Sequence, residues 1–262
     1  MRKTPRLLLL LLVLTLGAGA CQKKSFKLTG DETDEQAINK CVELSEKKKY
    51  EQAVECLEIF KSRFPDSTYA LDAELSIADA YFRKKDWVLA AETYSLYARL
   101  HPTSPKLDYA YYRSGLAYEK QLPKSIDRDL TVLNNAEENF ATVYRRYPTS
   151  PYAEMAKAKY DEIRARGAKK DIYVGNFYFK NGQYRAAIPR YLEILQEYPG
   201  LGYDEEALYR TAIAFHRLGD EEKARGAAQL MQEKFPDSKK TKKAASKVGL
   251  GKAPASTPTA TQ

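Results

Sequence analysis

Two histidines, three cysteines, three methionines and one tryptophan are all that 262 residues hold of those types. So few nitrogen and sulfur ligands leave almost nothing for a zinc centre or a histidine-dependent active site. No GxSxG, HExxH or P-loop pattern occurs either, which removes the common seats of a nucleophile, a catalytic metal and a nucleotide phosphate. Catalysis is not expected. What the chain does contain, 44% hydrophobic residues beside 30% charged ones, suits a buried core and excludes global disorder.

Long apolar runs are lacking apart from one. It extends from Leu7 to Ala20, short of the roughly 20 residues a helix needs to cross the hydrocarbon core. Arg2, Lys3 and Arg6 precede it and Ala18-Gly19-Ala20-Cys21 closes it, the positive, apolar, small-residue order of an export signal over residues 1–20. Ala18-x-Ala20 fits an ordinary signal peptidase, whereas Cys21 after a small residue resembles a lipobox, with Cys21 then the lipidated N-terminus of a linker over residues 21–33. In that reading the covalent lipid on Cys21 anchors the chain to a membrane, no other cofactor is expected, and Gln22 resembles the signal for an outer-membrane destination.

An excess of one charge sign is also lacking from the body of the chain. The formal charge is +8, but three charges belong to Arg2, Lys3 and Arg6 and five to the Lys-rich stretch after residue 236. Nucleic-acid binding, which needs a basic folded face, is therefore not expected. Residues 237–262 read as a Lys-rich disordered tail ending in Pro, Thr, Ala and Ser. The run from Lys239 to Lys252 suits contact with anionic headgroups or a solvated helix end.

The strongest positive signal is a repeat. Phe64-Pro65-Asp66-Ser67, His101-Pro102-Thr103-Ser104, Tyr147-Pro148-Thr149-Ser150, Tyr198-Pro199-Gly200 and Phe235-Pro236-Asp237-Ser238 recur along the chain. Twelve residues before each Pro stands Ala53, Ala90, Ala136, Ala187 or Ala224, and eight before it Leu57, Tyr94, Phe140, Tyr191 or Ala228. After three of the prolines come the pairs Ala78 and Tyr81, Gly115 and Tyr118, Ala212 and Phe215. Small residues at helical spacing let two antiparallel helices approach while large neighbours fill the groove, and Pro ends the second helix. His101 occupies the aromatic slot and reads as turn packing; His216 reads as a surface residue.

This pattern resembles the tetratricopeptide repeat and implies an all-α, right-handed α-solenoid of about five helical hairpins. Residues 34–150 hold repeats 1–3, with an insertion from Gln121 to Thr131. Residues 151–236 hold repeats 4–5. The small and aromatic pair of the fourth repeat arrives late, as Gly175 and Tyr178, so one long helix from Pro151 to Lys180 is expected unless Gly167 breaks it. Cys41 and Cys56 flank the Lys47–Tyr50 turn symmetrically. A disulfide fits that spacing, and so do two buried thiols packed where the helices approach.

In a solenoid the first helix of each hairpin lines a concave face that takes peptides. The concave positions of repeats 2 and 3 are Asp72, Leu75, Asp79, Phe82, Tyr109, Tyr112, Leu116 and Glu119. Leu75, Phe82, Tyr109, Tyr112 and Leu116 make a groove for aromatic side chains, and Arg83, Lys84 or Arg113 stand where a terminal carboxylate would pair. Burial between the hairpins accounts for the same residues.

Cys21, the five repeats, Asp127-Arg128-Asp129 in the third-repeat insertion, and the segment from Ala168 to Tyr191 with Tyr173-Val174, Tyr178 and Gly182-Gln183-Tyr184 together resemble the BamD family. The resemblance implies a lipid-anchored, non-enzymatic component on the periplasmic face of the outer membrane. Unfolded outer-membrane proteins, recognised by aromatic-ended C-terminal signals, would enter the N-terminal block. The C-terminal block would dock on a POTRA-containing β-barrel insertase, with Tyr209, Arg217, Asp220 and Glu221 as interface residues and other assembly lipoproteins as further partners. A periplasmic scaffold for cell-wall or division complexes, or an accessory of a transport system, is compatible with anchor and repeats alone.

Overall fold

The computed structural model describes residues 28–250; the signal, Cys21 and residues 251–262 lie outside them. Among the described residues the chain forms eleven helices and no strand: α1 Asp34–Glu46, α2 Tyr50–Arg63, α3 Ala70–Lys84, α4 Trp87–Leu100, α5 Leu107–Gln121, α6 Leu133–Arg146, α7 Ala153–Lys180, α8 Tyr184–Glu197, α9 Asp204–Arg217, α10 Glu221–Lys234 and α11 Lys239–Lys247. From α1 to α10 each helix packs mainly on its neighbours in sequence, and α11 rests on both α9 and α10, so the hairpins stack into a solenoid.

The repeat signals account for this packing. Ala53, Ala90, Ala136, Ala187 and Ala224 are fully buried where hairpin helices cross, as are Leu57, Tyr94, Phe140, Tyr191 and Ala228. The approach is closest at two glycines. A β-carbon on Gly115 would lie 2.8 Å from the Phe140 ring, and one on Gly175 2.7 Å from the Tyr191 ring.

Each second helix stops on the aromatic or histidine before proline. Phe64, His101, Tyr147, Tyr198 and Phe235 share φ between −123° and −137° and ψ between 41° and 62°, outside the α region, as the following pyrrolidine ring demands. The serines beyond then join successive repeats. Ser67 donates to Asp34 at 2.7 Å, Ser150 to Asp108 at 2.6 Å and Ser238 to Glu205. Pro105 and Pro151 sit in these turns ahead of α5 and α7 rather than inside the helices.

α7 runs unbroken through Gly167, and the missing side chain there admits the Tyr198 ring against the helix, since a β-carbon would lie 2.5 Å from its hydroxyl. Cys41 and Cys56 are joined in a disulfide between α1 and α2, with Cα atoms 5.3 Å apart.

One expectation is corrected. The stretch from residue 237, expected to be disordered, folds as far as it is described. Ser238 caps α11, and Thr241, Ala244, Ala245 and Val248, spaced as one helical face, are buried against α9 and α10.

Candidate functional site

α3 and α5 lie side by side and the turn into α7 closes one end, leaving a groove of about 420 Å³ lined by Asp72, Leu75, Asp79, Lys106, Asp108, Tyr109 and Tyr152 among others. Leu75 forms its buried floor. Phe82 lies edge-on to Trp87 at 4.9 Å, Tyr112 stacks on Tyr152 at 5.2 Å and 19°, and Tyr109 packs 5.7 Å from Tyr152. Leu116 and Tyr112 continue the apolar surface toward Phe140. Of the residues read from the sequence, Leu75, Asp79 and Tyr109 line this groove, while Phe82, Tyr112, Arg113 and Leu116 lie beside it.

Beneath the rings sits a polar knot. Asp79 accepts from the hydroxyls of Tyr94 and, at 2.5 Å, Tyr109, and lies 3.4 Å from the Arg113 guanidinium. Arg113 also donates to the Tyr94 hydroxyl at 3.1 Å and spreads over the Phe82 ring at 3.7 Å. Burial, reinforced by the Asp79 charge, pushes both phenols well above their ordinary range. Burial works against the Arg113 charge, but Tyr94, Tyr109 and Asp79 outweigh it and raise its pKa.

The knot changes the chemistry expected of the groove. Arg113, read from sequence as a partner for a terminal carboxylate, is occupied from within, and Lys84 pairs with Glu51 at 2.9 Å. Arg83, the third cation read from the sequence for that role, is exposed, and Lys106 at the rim of the groove lies 2.5 Å from Asp72.

Tyr152 and Trp87 did not emerge from the sequence. Tyr152 is the residue before α7 starts, one step outside the register that selects concave positions, and only the Tyr147-Pro148-Thr149-Ser150 turn ahead of it hinted that a ring would be presented here.

The distal set is not brought together in the same way. Arg217, Asp220 and Glu221 share the α9–α10 turn, while Tyr209 lies earlier on α9 beneath Lys243 of α11. Asp220 caps α10 and pairs with Lys223 at 2.7 Å, and Glu221 holds His216 at 2.8 Å. Arg217 is exposed.

A larger exposed aromatic feature lies on α7, where Tyr173 and Phe177 are 47% and 57% accessible. The repeat register pairs Phe177 with Ala80, Ala117 and Ala214, all fully buried. The second half of α7 runs past the start of α6, and the insertion reaches it only lower down, through Arg166 to Pro123 and Lys170 to the carbonyls of Ile126 and Arg128 at 2.9 and 2.8 Å.

Between α6 and α8 a cleft of about 860 Å³ is lined by Glu137, Glu138, Glu193 and Glu197 with Leu192 and Tyr160. Close to it, burial and the Glu193 charge, against Arg190, push Asp171 up to about 6. Among the described residues no cluster of three or more metal-binding side chains occurs, and no helix is long and apolar enough to cross a membrane.

A family model described as an outer membrane lipoprotein, YfiO, matches residues 30–230. The chain is 31% identical to outer membrane protein assembly factor BamD of Neisseria meningitidis serogroup A over 247 residues, covering 88% of this chain and 92% of that protein. BamD of Rickettsia prowazekii is 28% identical over 90% and 94% of the two chains, and BamD of Vibrio cholerae 31% identical over 69% and 78%. Among solved structures, the TPR2AB-domain:pHSP90 complex of yeast Sti1 covers 82% of each chain at 16% identity with a TM-score of 0.38. The solenoid assignment rests on helix order and packing. With the family model matched over most of its length and close relatives spanning nearly all of it, the chain belongs to the YfiO/BamD family of outer membrane lipoproteins.

Proposed function

We propose that this chain is a non-catalytic, lipid-anchored factor in outer-membrane protein assembly. Its N-terminal groove takes the aromatic residues of unfolded barrel proteins, and its C-terminal block docks on a POTRA-containing insertase. The observation that supports the reading is the groove lined by Leu75, Tyr109 and Tyr152, flanked by Phe82 under Arg113 and by Tyr112 stacked on Tyr152, with Asp79 already partnered beneath the rings. A patch of this kind binds aromatic and aliphatic side chains of many sequences, as a receptor for varied clients requires.

Docking of the C-terminal block draws on Tyr173 and Phe177, exposed on the second half of α7, together with Arg217 at the distal turn. Exposed rings beside a rigid helix are the anchors that protein interfaces favour. Asp220 and Glu221 have local partners and contribute to the shape of that turn. Cys21 carries the lipid in this account.

Phe82→Ala with Tyr112→Ala removes the two rings that flank the groove. The expected result is a loss of affinity for a C-terminal barrel peptide on the order of tenfold or more, with helicity unchanged, read by fluorescence anisotropy and circular dichroism. Unchanged affinity in a folded variant contradicts the groove assignment.

A further inference from the structure

The C-terminal helix α11 is unlike the rest of the surface. It carries Lys239, Lys240, Lys242, Lys243 and Lys247, and the described residues from 238 onward contain no acidic side chain. Only Lys240 has ion-pair partners, Glu206 at 2.9 Å and Glu205 at 3.4 Å. Lys239, Lys242, Lys243 and Lys247 are exposed, and Arg225 of α10 adds a further cation by reaching the Val248 carbonyl at 3.4 Å. Lys239, Lys243 and Lys247 follow one another at four-residue spacing on a single face, where like charges repel.

We propose that this face of α11 binds an anionic phospholipid surface, giving the protein a second, electrostatic contact with the membrane. Three observations select that occupant. The charge is of one sign and confined to one helix face, which suits a surface of negative headgroups. The apolar side of the helix, Thr241, Ala244, Ala245 and Val248, is spent on packing against α9 and α10, so α11 lies on a membrane rather than inserting into it. Its outer face holds lysine, Ser246 and Gly249 but no exposed ring or aliphatic side chain, whereas protein interfaces are anchored by aromatic residues and depleted of lysine. Because α1 and α11 stand at opposite ends of the stack, contact at α11 would hold the solenoid along the membrane, with both ends tethered.

The test uses the chain from residue 22 onward, which contains every described helix and no acyl chain, sedimented with phosphatidylcholine vesicles with and without phosphatidylglycerol. Binding is expected only to the anionic vesicles and weakens as salt rises. Replacing Lys239, Lys242, Lys243 and Lys247 with Gln, which is close to Lys in helix propensity, lowers the association constant on the order of fivefold per lysine. Arg at the same four positions retains it, and Gln at Lys47, Lys48 and Lys49 leaves it unchanged. The proposal is overturned if the four-Gln variant binds like the parent, or if the Lys47–Lys49 variant loses as much. It is overturned equally if the protein ignores anionic vesicles while its capture of the insertase depends on those four lysines, which would make α11 a protein-docking helix.

Discussion

Asp79→Ala should be among the most damaging single substitutions near the groove. The carboxylate accepts from two phenols and pairs with Arg113, and both charged side chains are largely shielded, at 24% and 20% exposure. Removing one partner of a buried pair costs about 3–5 kcal/mol, mostly through the charge left behind. The fully buried Tyr94 loses its acceptor at the same time. Partial hydration of Arg113 places the total near the lower end, about 3 kcal/mol, or a fall in Tm of roughly 6–12 °C for a domain of this size. Thermal and urea unfolding followed by circular dichroism measure it, and amide exchange should report the loss mainly in α3, α4 and α5. Asp79→Leu combined with Arg113→Met removes both charges and keeps an aliphatic stem over Phe82. It should recover at least about 1 kcal/mol relative to the sum of the single changes. A Tm loss under about 2 °C for Asp79→Ala, or strictly additive effects, would refute the idea that this knot supports the groove.

Three further outcomes follow from the packing. Asp171 titrates near 6 when folded and near its ordinary value of about 4 when unfolded, so the native state binds the extra proton. Its penalty is absent below pH 4, grows between pH 4 and 6 and is complete above 6, hence Asp171→Asn should add up to about 2–3 kcal/mol at neutral pH and flatten that part of the stability profile. Gly115→Ala, with its new carbon 2.8 Å from Phe140, should cost about 1–2 kcal/mol in urea midpoints, the gain in helix propensity offsetting part of the clash. Reducing the Cys41–Cys56 bridge, whose ends are 15 residues apart, should lower stability by roughly 3 kcal/mol, seen as an earlier transition with reductant that Cys41→Ala with Cys56→Ala reproduces.

Much of this architecture is legible in the chain because it is local. An aromatic residue before proline cannot stay helical, and an alanine opposite a tyrosine at helical spacing marks a crossing, so Pro65 through Pro236 place the hairpins without tertiary information. The long α7 follows from the late arrival of Gly175 and Tyr178. The residues that escaped are those whose role depends on a distant partner. Arg113 looks like a free cation until Asp79 and Phe82 are seen beside it, and Tyr152 joins the groove from a turn. In α11, Thr241, Ala244, Ala245 and Val248 are too weakly apolar to stand out among lysines. Residue spacing admits the disulfide without choosing it over two thiols.

The central claim, that the chain serves outer-membrane protein assembly, is tested most directly by purifying a C-terminally tagged protein from detergent-solubilised envelopes and identifying its partners and its N-terminal peptide by mass spectrometry. The account predicts a POTRA-containing barrel insertase together with an acylated Cys21. Recovery of cell-wall enzymes in its place, or an N-terminus without acyl chains, would contradict it.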